Sequence, residues 1–297
     1  MKKFEGTFVV SVTPMTMDEE LDIESFKDNL DYYIENGVHG IAINGSTGEF
    51  ATQSLDELKR VMDAAVEIVD GRVPLISGTA ACSTRRVIEL TMYAEDAGVD
   101  GALIVPPFYS KIDETELYEH FRAIDEAVNI PIMVYNNPWT SKIDIPPEGL
   151  ARLAELDNVR YVKESSGDIT RIPRILDLTD GKMAVFCGSD NLALESFFMG
   201  ATGFICVAAN IFPKHMSKLY EYANFERDYD KAKALYSRVL PLCNFLEGSG
   251  KFTQAAKYGL EYLGRKAGPP RKPFLPLSEE HKRQAEKIFE RIQSVQP

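Results

Sequence analysis

The sequence predicts a (β/α)8 barrel with a helical extension at its C-terminus. The chain has 297 residues, which is the length of one large α/β barrel plus an extension. Eight short apolar runs rich in valine and isoleucine recur along it, and a segment of helical periodicity follows each run. A doubly wound sheet gives a similar alternation. Eight consecutive units in about 225 residues favour the barrel.

Each predicted strand is short and almost continuously apolar, as in Gly101–Val105 and Ile130–Tyr135. Such runs are typical of parallel strands that are buried on both faces. The predicted strands are Thr7–Thr13, Gly40–Asn44, Val73–Ser77, Gly101–Val105, Ile130–Tyr135, Val159–Lys163, Met183–Cys187 and Gly203–Val207.

Amphipathic segments separate the strands, and several begin at residues that favour helix N-termini. Ser54 with Glu57, Ser83 and Asp113 are placed to accept hydrogen bonds from a first helical turn, and Gly98 stands where a helix should end. The predicted helices are Ile23–Glu35, Ser54–Val69, Thr84–Asp96, Glu114–Ala127, Pro147–Glu155, Thr170–Leu178, Asn191–Met199 and Pro213–Ala223.

The strand pattern ends near residue 225. We therefore assign residues 1–225 to the barrel and residues 226–297 to a helical extension packed on it. Asp228–Glu247 and Lys251–Leu263 are predicted helices, and the proline-rich segment 264–277 cannot be helical throughout. Ser278 should cap a final helix that runs to Ser294.

Composition and charge exclude several classes of protein. Lysine and arginine number 33 against 45 aspartates and glutamates, a net charge of −12, which argues against nucleic acid or an anionic membrane as a partner. No apolar run approaches the roughly 20 residues of a membrane-spanning helix, and no targeting segment is evident, so we expect a cytoplasmic protein. The four cysteines show no CxxC spacing and are expected to be reduced, packed as small hydrophobes.

Functional side chains of such barrels come from the C-terminal ends of the strands and the loops that follow them. No histidine stands at any of these positions: His39, His120, His215 and His281 precede strand 2 or lie within helices, where we expect them at the surface. This excludes histidine-based triads and most histidine-ligated metal sites.

Lys163 is the most informative of the polar strand-end residues. It ends the apolar run NVRYVK, so its amine should project into the mouth of the barrel. Burial among apolar walls disfavours the ammonium form, and a neutral amine can attack a carbonyl carbon to form a Schiff base. The alternative is a lysine that reaches solvent or pairs with Glu164. Tyr135 ends the neighbouring strand 5, where a phenol suits general acid–base catalysis, although an aromatic residue there can also serve packing alone.

The loop GSTGE follows strand 2 and spans residues 45–49. Its two glycines expose backbone N–H groups beside the hydroxyls of Ser46 and Thr47, which suits a carboxylate or a phosphate. It lacks the Gly-Lys-Thr ending of a nucleotide-binding P-loop. A plain β–α turn is the alternative interpretation. A phosphate-handling barrel is disfavoured because the segments after strands 7 and 8 are short or lack glycine.

Six motifs together resemble the dihydrodipicolinate synthase / N-acetylneuraminate lyase family: VTP near the start, then GSTGE, PPFY, VYNNP, YVKESSGD and GSD in chain order. The resemblance spans nearly the whole chain. It implies a (β/α)8 barrel, a homotetramer built as a dimer of dimers, and Schiff-base chemistry on pyruvate or another 2-oxo acid. It also implies that no metal or organic cofactor takes part.

The resemblance assigns roles residue by residue. Lys163 matches the Schiff-base lysine and Tyr135 the proton-shuttling tyrosine. Thr47 would link the 2-oxo acid to Tyr135, and Tyr109 falls where synthases place a tyrosine that crosses the tight dimer interface into the neighbour's proton relay. The substrate-binding positions implied by the resemblance are Ser46, Thr47, Gly188 and Ile205.

One position departs from the synthase pattern. Thr140 stands where the synthases carry an arginine that grips the carboxylate of the second substrate, and a threonine cannot supply that bidentate charged contact. Lys142 lies two residues further on, and Trp139 offers an apolar wall to the distal pocket or packs at an interface.

The departure at Thr140 favours a 2-oxo (deoxy) sugar-acid aldolase or dehydratase. The alternatives are 4-hydroxy-tetrahydrodipicolinate synthase, a hydroxy-oxoglutarate aldolase, pyrroline-4-hydroxy-2-carboxylate deaminase, or a non-catalytic paralogue that binds a 2-oxo acid.

Overall fold

A computed structural model describes residues 2–295 and 297, and its eight parallel strands close into a barrel in chain order. The predicted fold class and number of strands are confirmed. The strands are β1 (Gly6–Val10), β2 (Gly40–Ile43), β3 (Leu75–Gly78), β4 (Gly101–Ile104), β5 (Ile132–Asn136), β6 (Val159–Glu164), β7 (Ala184–Cys187) and β8 (Gly203–Cys206).

Side chains alternate between two apolar layers, as the period of a strand requires. On β1, Phe8 and Val10 belong to the cluster inside the barrel, whereas Val9 belongs to the larger cluster between strands and helices. Aromatic rings fill the interior near the beginnings of the strands, where Phe4 stacks on Tyr161 and Phe8 meets Phe186 edge-on. The barrel is therefore a packed core whose chemistry is confined to the opposite, C-terminal end.

Helices cover the outside of the barrel. Ser54 and Asp113 form complete capping boxes with Glu57 and Glu116. Ser83 occupies the N-cap position of the third helix as predicted, but its side chain makes no capping hydrogen bond. The helices of this layer are α1 (Ile23–Glu35), α2 (Leu55–Val69), α3 (Thr84–Ala97), α4 (Glu114–Asp125), α5 (Pro138–Ser141), α6 (Pro147–Leu153), α7 (Arg171–Leu178), α8 (Ala193–Phe198) and α9 (Pro213–Tyr220).

Several short features differ from the predicted elements. A one-turn helix, α5, follows β5; a 3-10 turn, Asp190–Leu192, precedes α8; and α9 continues into a π-helical turn, Glu221–Phe225. Segments of three to five residues are too short for hydrophobic periodicity to reveal them.

The C-terminal extension consists of α10 (Tyr229–Gly248), α11 (Phe252–Tyr262) and α12 (Glu279–Gln293), the last capped by Ser278 as predicted. Helix α10 packs against α9 and the Asp190–Leu192 turn, and α11 packs against the turn after β8. The extension thus reaches the C-terminal end of the barrel. The boundary between residues 225 and 226 stays a prediction.

Two predictions about single residues are corrected. His120 is buried on α4 and shares a 2.9 Å hydrogen bond with the hydroxyl of Thr84, and burial lowers its pKa to about 4. It is a core histidine in the neutral form. Cys82 is exposed, whereas Cys187, Cys206 and Cys243 are buried and carry free thiols.

Within the described residues, no cluster of three or more His, Cys, Asp or Glu side chains is arranged to hold a metal ion. None of the described helices combines the length and apolar character needed to traverse a bilayer.

Candidate active site

Lys163 lies at the C-terminal end of β6, inside the mouth of the barrel. Its side chain is 5% exposed, and Nζ lies 4.0 Å from the centroid of the Tyr135 ring. The parallel register of β5 and β6 produces this proximity, because it pairs Tyr135 with Lys163 directly. The structure therefore places a buried amine against a phenol ring, as the two strand ends predict.

Glu164 points to the other face of β6. Its carboxylate accepts hydrogen bonds from Nδ2 of Asn136 at 2.9 Å and from the backbone N–H of Ser166 at 2.6 Å. Successive residues of a strand face opposite sides, so adjacent Lys163 and Glu164 diverge. The alternative in which Glu164 pairs with the lysine is wrong.

The hydroxyl of Tyr135 is held by its own loop. Nδ2 of Asn137 donates a 2.8 Å hydrogen bond to Oη of Tyr135. This acceptor contact fixes the direction of the phenol while leaving its proton available for donation. Sequence reasoning placed Asn137 among the polar strand-end residues but did not identify it as the partner of Tyr135.

A cleft of about 370 Å³ opens above Lys163 at the C-terminal end of the barrel. Its volume suits a small organic acid. Six of the predicted site residues line it: Ser46, Thr47, Tyr135, Thr140, Lys163 and Gly188. The structure thus brings them together, and their roles stay predictions.

Two predicted site residues do not line the cleft. Tyr109 is 89% exposed on the loop after β4, so within one chain it cannot take part in the relay. Ile205 is buried in the interior cluster that also contains Tyr135, and Val207, two residues further along, lines the cleft.

Gly188 leaves the space beside the amine open. A Cβ at this position would lie 1.8 Å from Oγ of Ser165 and 3.0 Å from Cε of Lys163. Any side chain would therefore displace the lysine or the hydroxyl. Glycine is required here because Ser165 and Lys163 approach it closely. Its backbone φ is one that other residues can adopt.

The sequence did not indicate that the C-terminal extension contributes to the cleft. Leu246 and Glu247 from the end of α10, Gly250 from the connector and Phe252 from the start of α11 line its rim. The break at residues 248–250 was visible as a connector between helices. Its position over the barrel mouth depends on packing between segments far apart in the chain.

Of the residues that the structure describes, one cation, Lys163, and one carboxylate, Glu247, line the cleft. Lys142 does not supply a second cation: its Nζ donates to the backbone carbonyl of Trp139 at 3.1 Å, and it lines a separate groove with Lys111 and Asp144. Among the described lining residues, no cation besides Lys163 is therefore present to replace the arginine that Thr140 lacks.

The model of the "Dihydrodipicolinate synthetase family" matches residues 3–292. A 4-hydroxy-tetrahydrodipicolinate synthase of Desulfotalea psychrophila is 38% identical over 282 residues, covering 95% of this chain and 94% of that protein. One from Methanothrix thermoacetophila is 35% identical over 295 residues, covering 98% of both.

Solved structures of the same kind superpose closely. The chloride-inhibited dihydrodipicolinate synthase from Acinetobacter baumannii, complexed with pyruvate, has a TM-score of 0.94 and 36% identity, covering 99% of this chain and 100% of that one. The lysine at the end of β6, the cleft above it and these comparisons agree. The chain belongs to the dihydrodipicolinate synthase family and is a lyase of the Schiff-base type.

Proposed function

We propose that Lys163 forms the Schiff base with a pyruvate-type 2-oxo acid, and that the substrate is a 2-oxo (deoxy) sugar acid which the enzyme cleaves or dehydrates. The observation that carries the chemistry is the buried amine 4.0 Å from the Tyr135 ring at the base of the cleft. Covalent catalysis by lysine needs an enclosed amine and a nearby proton carrier, and both are present.

The chemical steps follow from these groups. The substrate carboxylate docks on the Ser46–Thr47 loop, and the amine of Lys163 attacks C2; loss of water gives an iminium ion. In cleavage, Tyr135 takes the proton of the C4 hydroxyl, the C3–C4 bond breaks, and the electron pair of that bond moves toward the iminium nitrogen to give an enamine. Tyr135 then returns the proton to C3, which restores the iminium ion. In dehydration, a proton leaves C3 and the C4 hydroxyl departs as water after protonation. Hydrolysis then releases the product and Lys163.

The part of the cleft lined by Thr140 supports a sugar acid as the substrate. A substrate with a second carboxylate needs a cation there, because an unpaired charge is costly to remove from water. Thr140 offers a hydroxyl instead, and Lys142 is directed to the carbonyl of Trp139. Hydroxyl groups of a sugar acid are matched by Thr140 and the nearby serines of the loop after β6.

A second candidate is 4-hydroxy-tetrahydrodipicolinate synthase. The names of the relatives reported above favour it. In that reaction pyruvate condenses with aspartate semialdehyde, whose carboxylate would have to bind in this cleft with no arginine at position 140.

A substrate panel separates the candidates. Pyruvate is offered with aspartate semialdehyde and with sugar aldehydes, and 2-oxo sugar acids are offered alone, with pyruvate, the water-loss product and ammonia measured. We expect kcat/KM for the best sugar acid to exceed that for aspartate semialdehyde at least tenfold, about the effect of one missing charged contact. The reverse preference would establish the synthase, and release of ammonia would indicate a deaminase.

We also propose that the enzyme is a homotetramer in which Tyr109 completes the relay of a neighbouring subunit. Its exposure on the loop after β4 is consistent with such a role. Lys163→Ala and Tyr109→Phe subunits, each prepared alone, should be weakly active, but their mixture after subunit exchange should regain activity. In a mixed pair, one site combines an intact Lys163 with an intact Tyr109 from the neighbour. A fully active monomer by sedimentation, or no gain on mixing, would contradict the proposal.

A further inference from the structure

Glu247 is the carboxylate that the C-terminal extension brings to the rim of the cleft. It lies in the last turn of α10 and lines the cleft together with Gly188 and Ser189. Its Oε1 accepts a hydrogen bond from the backbone N–H of Asp190 at 2.9 Å. Among the described residues, Oε2 accepts no hydrogen bond from the protein. One oxygen is therefore fixed, and the other is available to a ligand.

A second acid lies directly behind Glu247. The carboxylate of Asp190 accepts hydrogen bonds from the backbone N–H groups of Val207 at 3.0 Å and Ala208 at 2.7 Å, so it ties the loop after β7 to the loop after β8. Burial is the main cause that raises the pKa of Asp190, and the nearby charge of Glu247 raises it further. The hydrogen bonds of Asp190 are used in this structural role, and Glu247 is the acid that lines the cleft.

Glu247 lies close enough to Lys163 for the two charges to interact. Partial enclosure raises the pKa of Glu247, while the N–H of Asp190 and the charge of Lys163 act in the opposite direction. Lys163 is the only cation among the described lining residues of the cleft. When Lys163 is bound to the substrate as an iminium ion, its charge stays at the base of the cleft. Glu247 is then the charged group at the rim.

We propose that Glu247 is a specificity-determining residue that accepts a hydrogen bond from a distal hydroxyl of the substrate and disfavours substrates ending in a carboxylate. The proposal rests on the proposed function, since it names the group that distinguishes sugar acids from dicarboxylic substrates. A carboxylate acceptor recognises hydroxyl donors strongly, and a like charge at the same place is repelled. Thr140 and Glu247 act in the same direction, because one omits a cation and the other adds an anion.

Two matched 2-oxo acids test this role. 2-Keto-3-deoxygluconate ends in hydroxyl groups, 4-hydroxy-2-oxoglutarate ends in a carboxylate, and cleavage of either releases pyruvate. In Glu247→Gln, we expect kcat/KM to fall about tenfold for the first probe and to rise about tenfold for the second, as expected when one charged contact is removed. Asp230→Asn, an acid-to-amide change in the first turn of the same helix, is the control and should alter neither.

Borohydride trapping distinguishes the failure of this proposal from the failure of the proposed function. With pyruvate, both the wild type and Glu247→Gln should be trapped equally at Lys163, because pyruvate has no distal group. If the wild type is not trapped, the proposed function fails. If the wild type is trapped but Glu247→Gln lowers trapping, or changes cleavage of both probes by the same factor, Glu247 acts on the chemistry and the specificity role is overturned.

Discussion

Replacement of Lys163 by alanine is expected to reduce turnover by at least about a thousandfold on every substrate, because it removes the covalent route itself. The residual cleft keeps the Ser46–Thr47 loop and Tyr135, so the variant should still bind 2-oxo acids weakly. Steady-state kinetics give the loss. Borohydride reduction in the presence of pyruvate should add mass to the wild-type peptide that contains Lys163 and none to the variant.

Lys182→Ala is a suitable control, since this lysine is exposed in the turn before β7 and should tolerate substitution with full activity. Full turnover by Lys163→Ala, or reductive labelling of a different lysine, would contradict the mechanism. A protein that binds 2-oxo acids but forms no reducible imine would instead be a non-catalytic paralogue.

Tyr135→Phe separates formation of the imine from the proton transfers that follow. The variant keeps the ring beside the amine but loses the hydroxyl to which Asn137 donates. Turnover should fall about a hundredfold, within the range of a lost general acid–base group, while slow trapping at Lys163 persists.

Lys257→Met is expected to destabilise the protein by about 3–5 kcal/mol, the effect of leaving a buried charge without its partner. Nζ of Lys257 lies 2.6 Å from Oε1 of Glu49, with the two side chains 2% and 0% exposed. The amine also donates to the carbonyl of Pro269 at 2.9 Å, and Glu49 accepts from the N–H of Arg271 at 2.7 Å. Urea denaturation at fixed protein concentration measures the loss.

The pair matters to the site because Glu49 ends the GSTGE loop that presents Ser46 and Thr47. We therefore expect Lys257→Met to raise KM for 2-oxo acids as well as to lower stability. Lys251→Met, an exposed lysine at the start of the same helix, is the matched control. In the double variant with Glu49→Gln, both charges are gone and the amide can still accept from Arg271, so the combined loss should be clearly smaller than the sum. Simple additivity would show that the two charges do not stabilise one another.

The correct predictions from sequence concern local patterns. Apolar runs of four to six residues followed by amphipathic helices identify a parallel barrel, and the barrel in turn restricts chemistry to strand ends. This is why the sequence places Lys163, Tyr135 and the loop containing Thr47 together at the mouth of the barrel, where the structure has them. The same reasoning placed His120 at the surface, because a single polar residue in an amphipathic helix carries no information about which neighbour covers it.

The sequence by itself determined the fold class, the place of a lysine at the end of strand 6 and the absence of an arginine at position 140. Only the tertiary structure decided what surrounds them. It turns Lys142 away from the cleft, buries Glu49 against Lys257, and brings Glu247 over the mouth of the barrel. Each of these depends on contacts between distant segments, and such contacts leave no periodic trace in the chain because packing fixes them after the elements have formed.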